Sequence, residues 1–326
     1  MALQAPFPWF GGKRRVAADV WARFGNTPNY VEPFAGSLAV LLGRPHVGKT
    51  ETVNDLDGFI ANFWRAVSAA PDETARWADW PVNENDAHAR HVWLVNQRAT
   101  LEARLSGDPH FYDPKIAGWW AWGACAWIGS GYCSGEGPWV SINGHLTLGD
   151  AGRGINRQLP HLGDAGQGIN RQQASVYEWF NRLAHRLRHV RVTSGDWSRV
   201  VTESVTTRHG VTAVFLDPPY GDEIEQTRVY ATDSGTVSAD VRTWCVENGN
   251  DRRLRIALCG YEGEGHDVLL DYGWSVHAWR TSGGHGGGRG GTGDANRHRE
   301  RIYFSPACES LSEGLFDIEG ASCPTS

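Results

Sequence analysis

Apolar and polar positions along the chain follow two alternating rhythms. Short runs rich in β-branched and aromatic residues occur at YVEPF (30–34), TETVNDLD (50–57), HVRVTSGD (189–196), VTAVFLD (211–217), LRIALCG (254–260), GWSVHAWR (273–280) and RERIYFSP (299–306). Each predicts a strand. SLAVLLG (37–43), FIANFWRAVSA (59–69) and the stretch from 176 to about 189 read as helices between them. That order predicts an α/β fold with a parallel sheet and crossover helices. Residues 71–106 are polar and helical, with Trp93, Leu94, Gln97, Leu101 and Leu105 spaced for one face.

The rhythm breaks between about 110 and 175. GWWAWGACAWIGSGYCSGEGPW (118–139) is dense in Trp, Gly and Cys, and LGDAGRGINRQ (148–158) recurs as LGDAGQGINRQ (162–172). Two short copies are too few for a solenoid. They read as paired glycine-rich loops presenting arginines. Residues 1–70 and 176–326 then form one discontinuous α/β domain, and 71–175 form an insertion that is helical and glycine-rich. GGHGGGRGGTGD (283–294) is a linker by composition, flanked by arginines.

The bulk composition narrows the partners. The chain has 326 residues, 40% hydrophobic and 21% charged, which is ordinary for a globular protein. No apolar run approaches the ~18 residues of a membrane span, and the N-terminus lacks a secretory signal layout. Neither a membrane nor export is expected. The six cysteines include no CxxC pair, so free thiols in a reducing compartment are expected, with no metal and no disulfide framework. The net charge is −6, yet residues 153–199 hold eight arginines against three acids. A local basic surface can bind phosphates on an acidic protein. Nothing specifies an assembly, and a monomer or weak dimer is expected.

One phosphate motif fails on context. GRPHVGKT (43–50) fits G-x-x-x-x-G-K-[ST]. Such a loop needs a strand before it and a helix after it, so that free N–H groups face the phosphates. Here a predicted helix precedes and a predicted strand follows.

Four strand ends form a coherent set. EPFAGS (32–37) is a glycine turn after a strand. NDLD (54–57) ends the next strand about twenty residues on, GD (195–196) ends a third and DPPY (217–220) a fourth. A glycine turn lets backbone approach a ligand at the carboxyl end of an open sheet, and a following carboxylate suits ribose hydroxyls.

With PWFGGK (8–13), VEPFAGS (31–37), VNDLDGFIANFWRAV (53–67), SGDW (194–197) and FLDPPYGDE (215–223), the chain resembles Dam-like DNA adenine-N6 methyltransferases. The Trp-rich segment and the GRGINRQ repeats resemble the middle region of phage-borne members. The resemblance implies a seven-stranded Rossmann-like fold and S-adenosylmethionine as cofactor, in the cytoplasm of a bacterial or phage-infected cell. It implies that Trp9, Gly12 and Lys13 sit against the cofactor, with Phe34 and Gly36 flanking its amino-acid end. Asp55 holds the ribose, with Asp57 second, and Asp196 takes the adenine amino group beside Trp197. Family members often carry a second glycine where this chain has Leu38, so a wider turn is expected.

In that reading Asp217 and the Pro218 carbonyl accept the two hydrogens of adenine N6. Pro218 and Pro219 fix the backbone direction, and Tyr220 stacks on a base flipped out of duplex DNA. Arg153, Asn156, Arg157, Asn170 and Arg171 are of the types that read base edges and clamp phosphate. Trp119, Trp120, Trp122 and Trp127 lie too close together for all to stack on bases and are expected in the core, which leaves Trp139 as the candidate. The absence of a Pro-Cys pair argues against covalent cytosine-C5 methylation. RNA adenine or cytosine-N4 methylation, and a catalytically silent DNA-binding protein, stay open at this stage.

Overall fold

The computed structural model describes residues 3–9, 12–127, 132–133, 139–142, 145–148, 175–219, 237–279 and 300–310. In chain order the helices are α1 (Ala17–Phe24), α2 (Ala39–Leu42), α3 (Gly58–Ala69), α4 (Pro71–Ala78), α5 (Glu84–Gly107), α6 (Pro114–Ala126), α7 (Val176–Leu187) and α8 (Val237–Asn248). The strands are β1 (Asn29–Glu32), β2 (Thr50–Asp55), β3 (Trp139–Ile142), β4 (His145–Leu148), β5 (Val190–Ser194), β6 (Thr212–Leu216), β7 (Leu254–Tyr261), β8 (Ser275–Ala278) and β9 (Glu300–Phe304).

Seven strands form one sheet in the order β5-β2-β1-β6-β7-β9-β8, and β3 and β4 form a separate hairpin. The run from β5 to β7 is parallel, and β9 is antiparallel to both of its neighbours. The seven predicted strands are all present, each a little shorter than its apolar run except β7, which extends one residue further to Tyr261. The sheet is that of a Rossmann-like methyltransferase fold, as the resemblance implied.

Alternation along the strands builds two cores. Tyr30, Ala213, Phe215, Ala257 and Cys259 face one layer with α1 and α3–α7. Val31, Val214, Leu216, Ile256 and Leu258 face the other with α8. Residues 71–106 form two helices rather than one, because Pro71 and Asn83 each start a helix and Asn83 caps the second by accepting from Asp86 N at 2.8 Å. Ala75, Leu94, Leu101, Ile116 and Trp120 join the same core as Phe63 and Phe180, so α4, α5 and α6 pack directly on α3 and α7. Ser175 caps α7 by accepting from Glu178 N, the serine half of an S-x-x-E capping box. Trp120, Trp122 and Trp127 are buried, as expected of the tryptophan-rich run, and Trp119 packs edge-on against Trp77 and Trp93. The five described cysteines are free. No described helix is long and apolar enough to cross a membrane.

The expected widening at Leu38 does not occur. Leu38 takes the left-handed conformation that glycine would supply (φ 53°), and its N–H donates to Ala35 O at 2.7 Å in a tight turn. The strain costs about 1 kcal/mol. Complete burial of the leucine side chain offsets it, at about 2 kcal/mol. The GRPHVGKT segment is a loop closing α2 onto β2. Lys49 N and Thr50 N both donate to Pro28 O, and no helix start follows. It lies at the amino ends of the strands, away from the carboxyl ends where the cleft opens.

Candidate active site

Strand order reverses between β1 and β6: the chain proceeds from β1 toward β2 and β5 on one side and from β6 toward β7 on the other. Ligands of open α/β sheets bind outside the carboxyl ends of the strands at such a point. A cleft opens there, with about 910 Å³ of space counted out to open solvent. Its walls come from the ends of β1, β2, β5 and β6, from the N-terminal segment and from α5.

The floor is the turn after β1. Gly36 has φ 44°, and a Cβ there would lie 2.6 Å from Trp9 Nε1. Both facts require glycine. The turn is tied to β2: Gly36 N donates to Asp55 Oδ2 at 2.9 Å, and Ala35 N donates to Asn54 O at 2.8 Å. Trp64 Nε1 donates to Gly36 O at 2.9 Å. Asn54 staples three strand ends together, donating to Pro33 O at 3.1 Å and Gly195 O at 2.8 Å.

Asp55 is buried in this network. Its Oδ1 accepts from Asp57 N at 2.9 Å. Burial pushes its carboxyl up to about 7, against the hydrogen bond from Gly36. Asp57 caps α3 through Phe59 N at 2.8 Å and lies 3.6 Å from Arg98 of α5. Asp196, exposed at the cleft edge, accepts from Ser198 N at 2.9 Å. Trp197 beside it lies near-parallel to Phe34, with centroids 6.2 Å apart.

At the other end, Asp217 follows β6. Its Oδ1 lies 3.0 Å from the Lys13 ammonium, which is 3% exposed. The same ammonium is 3.6 Å from Glu300 at the start of β9. Burial works against the charged lysine, but Asp217 and Glu300 outweigh it and hold its pKa well above the ordinary value. Glu32 lines the cleft as a buried carboxyl. Desolvation pushes it up to about 8, although Tyr30 Oη donates to it at 2.9 Å. Pro219 lines the cleft and Pro218 is buried.

The fold thus gathers Trp9, Gly12, Lys13, Phe34, Gly36, Asp55, Asp196, Trp197 and Asp217 around one cleft. Tyr220, Arg153, Asn156, Arg157, Asn170 and Arg171 lie outside the described residues, as does the Trp139 side chain. Sequence reasoning did not single out Glu32, Asn54, Arg98 or Glu300. The first two sit inside motifs already quoted. Arg98 on a polar helix and Glu300 at a strand start carry no local signal. Among the described residues no cluster of three or more His, Cys, Asp or Glu is placed to hold a metal ion.

No curated protein matches the chain. Residues 9–84 match the family model of the D12 class N6 adenine-specific DNA methyltransferases, a span that holds Trp9, Lys13, the Gly36 turn and Asp55. The motif resemblance and the sheet order agree with that match, which makes this segment similar to the D12 class of adenine-specific DNA methyltransferases.

Proposed function

We propose that the chain transfers a methyl group from S-adenosylmethionine to N6 of an adenine flipped out of duplex DNA. The observation that carries this is the meeting of the Gly36 turn and Asp217 in one cleft at the strand-order reversal. The donor set suits the cofactor. Among the described lining residues Asp55, Asp57, Asp196 and Asp217 outnumber Lys13 and Arg98, a bias toward a ligand carrying positive charge. The flat face of Trp197 suits its purine. When bound, S-adenosylmethionine supplies an electrophilic methyl group on a sulfonium.

The protein's part is binding and aim. Trp9, Gly12 and Lys13 sit against the cofactor from the N-terminal segment, Phe34 and Gly36 flank its amino-acid end, Asp55 holds the ribose, and Asp196 with Trp197 the purine. Adenine N6 is a weak nucleophile because its lone pair is delocalised into the ring. Asp217 accepts one amine hydrogen and the Pro218 carbonyl the other, on a backbone stiffened by Pro218 and Pro219. The nitrogen lone pair then faces the methyl group, and the gain is orientation with electrostatic support. Tyr220 stacks on the flipped base. Arg153, Asn156, Arg157, Asn170 and Arg171 contact the duplex.

The test is transfer of radiolabelled methyl to duplex DNA, followed by nucleoside analysis. Label is expected on adenine. Asp217→Ala is expected to lower transfer at least ~100-fold while cofactor affinity changes little. Label on cytosine or on RNA alone, or full activity of Asp217→Ala, would refute the reading.

A further inference from the structure

Arg98 lies on α5, beyond the residues that match the family model, yet its side chain lines the cleft. α5 crosses the first turn of α3 at close range. Gly58 leaves the room: a Cβ there would lie 3.0 Å from Glu102 Cγ and 3.4 Å from Leu105 Cδ1. The Arg98 guanidinium lies over the Phe59 ring, 4.7 Å from its centroid. Its Nη1 is 3.6 Å from Asp57 Oδ1 and 3.5 Å from Glu102 Oε1, and its Nη2 donates to Cys133 O at 2.8 Å. Cys133 follows α6 and has φ 61°, a conformation unfavourable for residues other than glycine. α5 holds that backbone from two sides: Cys133 N donates to His91 Nδ1 at 3.3 Å, and Cys133 O accepts from Arg98 two turns further along the helix.

We propose that Arg98 is a positioning residue for the cofactor's ribose, acting on Asp55 through Asp57. The inference rests on Asp55 holding the ribose hydroxyls. Two backbone N–H groups aim the Asp55 carboxylate, Gly36 N on one oxygen and Asp57 N on the other, each at 2.9 Å. Two neighbouring hydroxyls bind one carboxylate well only when its oxygens are aimed, because hydrogen bonds weaken steeply with angle. The Asp57 peptide is in turn set by its own side chain, whose Oδ1 accepts from Phe59 N at 2.8 Å and faces Arg98. That side chain is 23% exposed, so water competes for it. A planar guanidinium seated on Phe59 holds it more rigidly than solvent does. The fork of arginine suits the place: one arm reaches the acid and the other the Cys133 carbonyl. The segment beyond α6 and the ribose carboxylate thus share one side chain.

The experiment compares the full-length protein with Arg98→Ala, Arg98→Lys and Asp55→Asn. Calorimetry measures the binding of S-adenosylhomocysteine and of an analogue lacking both ribose hydroxyls, so no turnover is needed. The wild type should prefer the hydroxylated ligand, and Asp55→Asn should erase most of that preference. Arg98→Ala should weaken S-adenosylhomocysteine about tenfold and the analogue less than about twofold. Arg98→Lys keeps a cation near Asp57 but cannot serve both partners at once, and should lose about threefold, again confined to the hydroxylated ligand.

Unchanged affinities in Arg98→Ala overturn the proposal. Equal weakening of both ligands also overturns it, since that pattern marks a scaffold residue. Should Arg98→Ala fail to fold, Arg98→Lys carries the same comparison: a loss confined to the hydroxylated ligand supports the proposal, and no loss or equal losses overturn it. A wild type that binds neither ligand, or binds both equally, overturns the cofactor reading of Asp55 and this proposal with it. A wild type whose preference depends on Asp55 leaves that reading standing and assigns any failure to Arg98 alone.

Discussion

Replacing Glu32 by glutamine isolates the energetic consequence of burying an acid beneath the cleft. Glu32 is 2% exposed, accepts from Tyr30 Oη at 2.9 Å, and is pushed from an ordinary 4.5 up to about 8 by desolvation, with the charges of Asp217 and Asp55 adding to the effect. The folded protein therefore keeps this proton at pH values where the unfolded chain has released it. Stability from this group is fully present below pH 4.5 and is lost as pH rises toward 8. Between pH 5.5 and 8.5 the loss amounts to about 3 kcal/mol. Glutamine keeps an acceptor for Tyr30 but has no proton to lose. Any misfit of its amide shifts stability by the same amount at every pH. Urea unfolding of both proteins without ligand, at pH 5.5, 7.0 and 8.5, measures the difference. The wild type should lose about 3 kcal/mol relative to Glu32→Gln across that range. Parallel pH profiles would show that the carboxyl is solvated or paired in the folded state, and the argument from burial would fall.

Two further substitutions probe the turn itself. Gly36→Ala places a methyl group 2.6 Å from Trp9 Nε1 at a positive φ, so the indole must move. Cofactor affinity measured by calorimetry should fall about tenfold or more, with a stability loss of about 1–2 kcal/mol. Leu38→Ala empties a fully buried site while keeping the left-handed backbone, and should cost about 3 kcal/mol in urea unfolding. Leu38→Gly should be less damaging than Leu38→Ala by about 1 kcal/mol, the reverse of the usual order for glycine and alanine.

The sequence's legibility differed from element to element. β6 was readable because VTAVFL is a continuous apolar run closed by an acid and two prolines, and both of its faces are buried. α3 was readable because Asp57 caps an amphipathic run. α1 and α8 escaped notice. α8 is weakly amphipathic, with Val241 and Cys245 as its main buried anchors. The division of 71–106 into α4 and α5 depended on capping at Asn83, which the stripe of apolar positions obscures. At the site, the strand-ending acids were visible as residue types. Their partners were not: Asn54 reaches Gly195 across 141 positions, and Lys13 reaches Glu300 from the opposite end of the chain.

What the amino-acid order determined by itself was the alternation of strand and helix, the glycine turn and the acid at the end of each of three strands. These are local consequences of side-chain period, capping and backbone freedom, and they need no distant partner. What only the tertiary structure decided was which groups share a cleft and what charge they carry there. The strand order sets Asp217 beside the Gly36 turn, and the antiparallel return of β9 brings Glu300 under Lys13. Burial then makes Glu32 hold its proton, while Asp217 and Glu300 keep Lys13 charged against its burial, because desolvation and Coulomb energy depend on neighbours in space rather than along the chain.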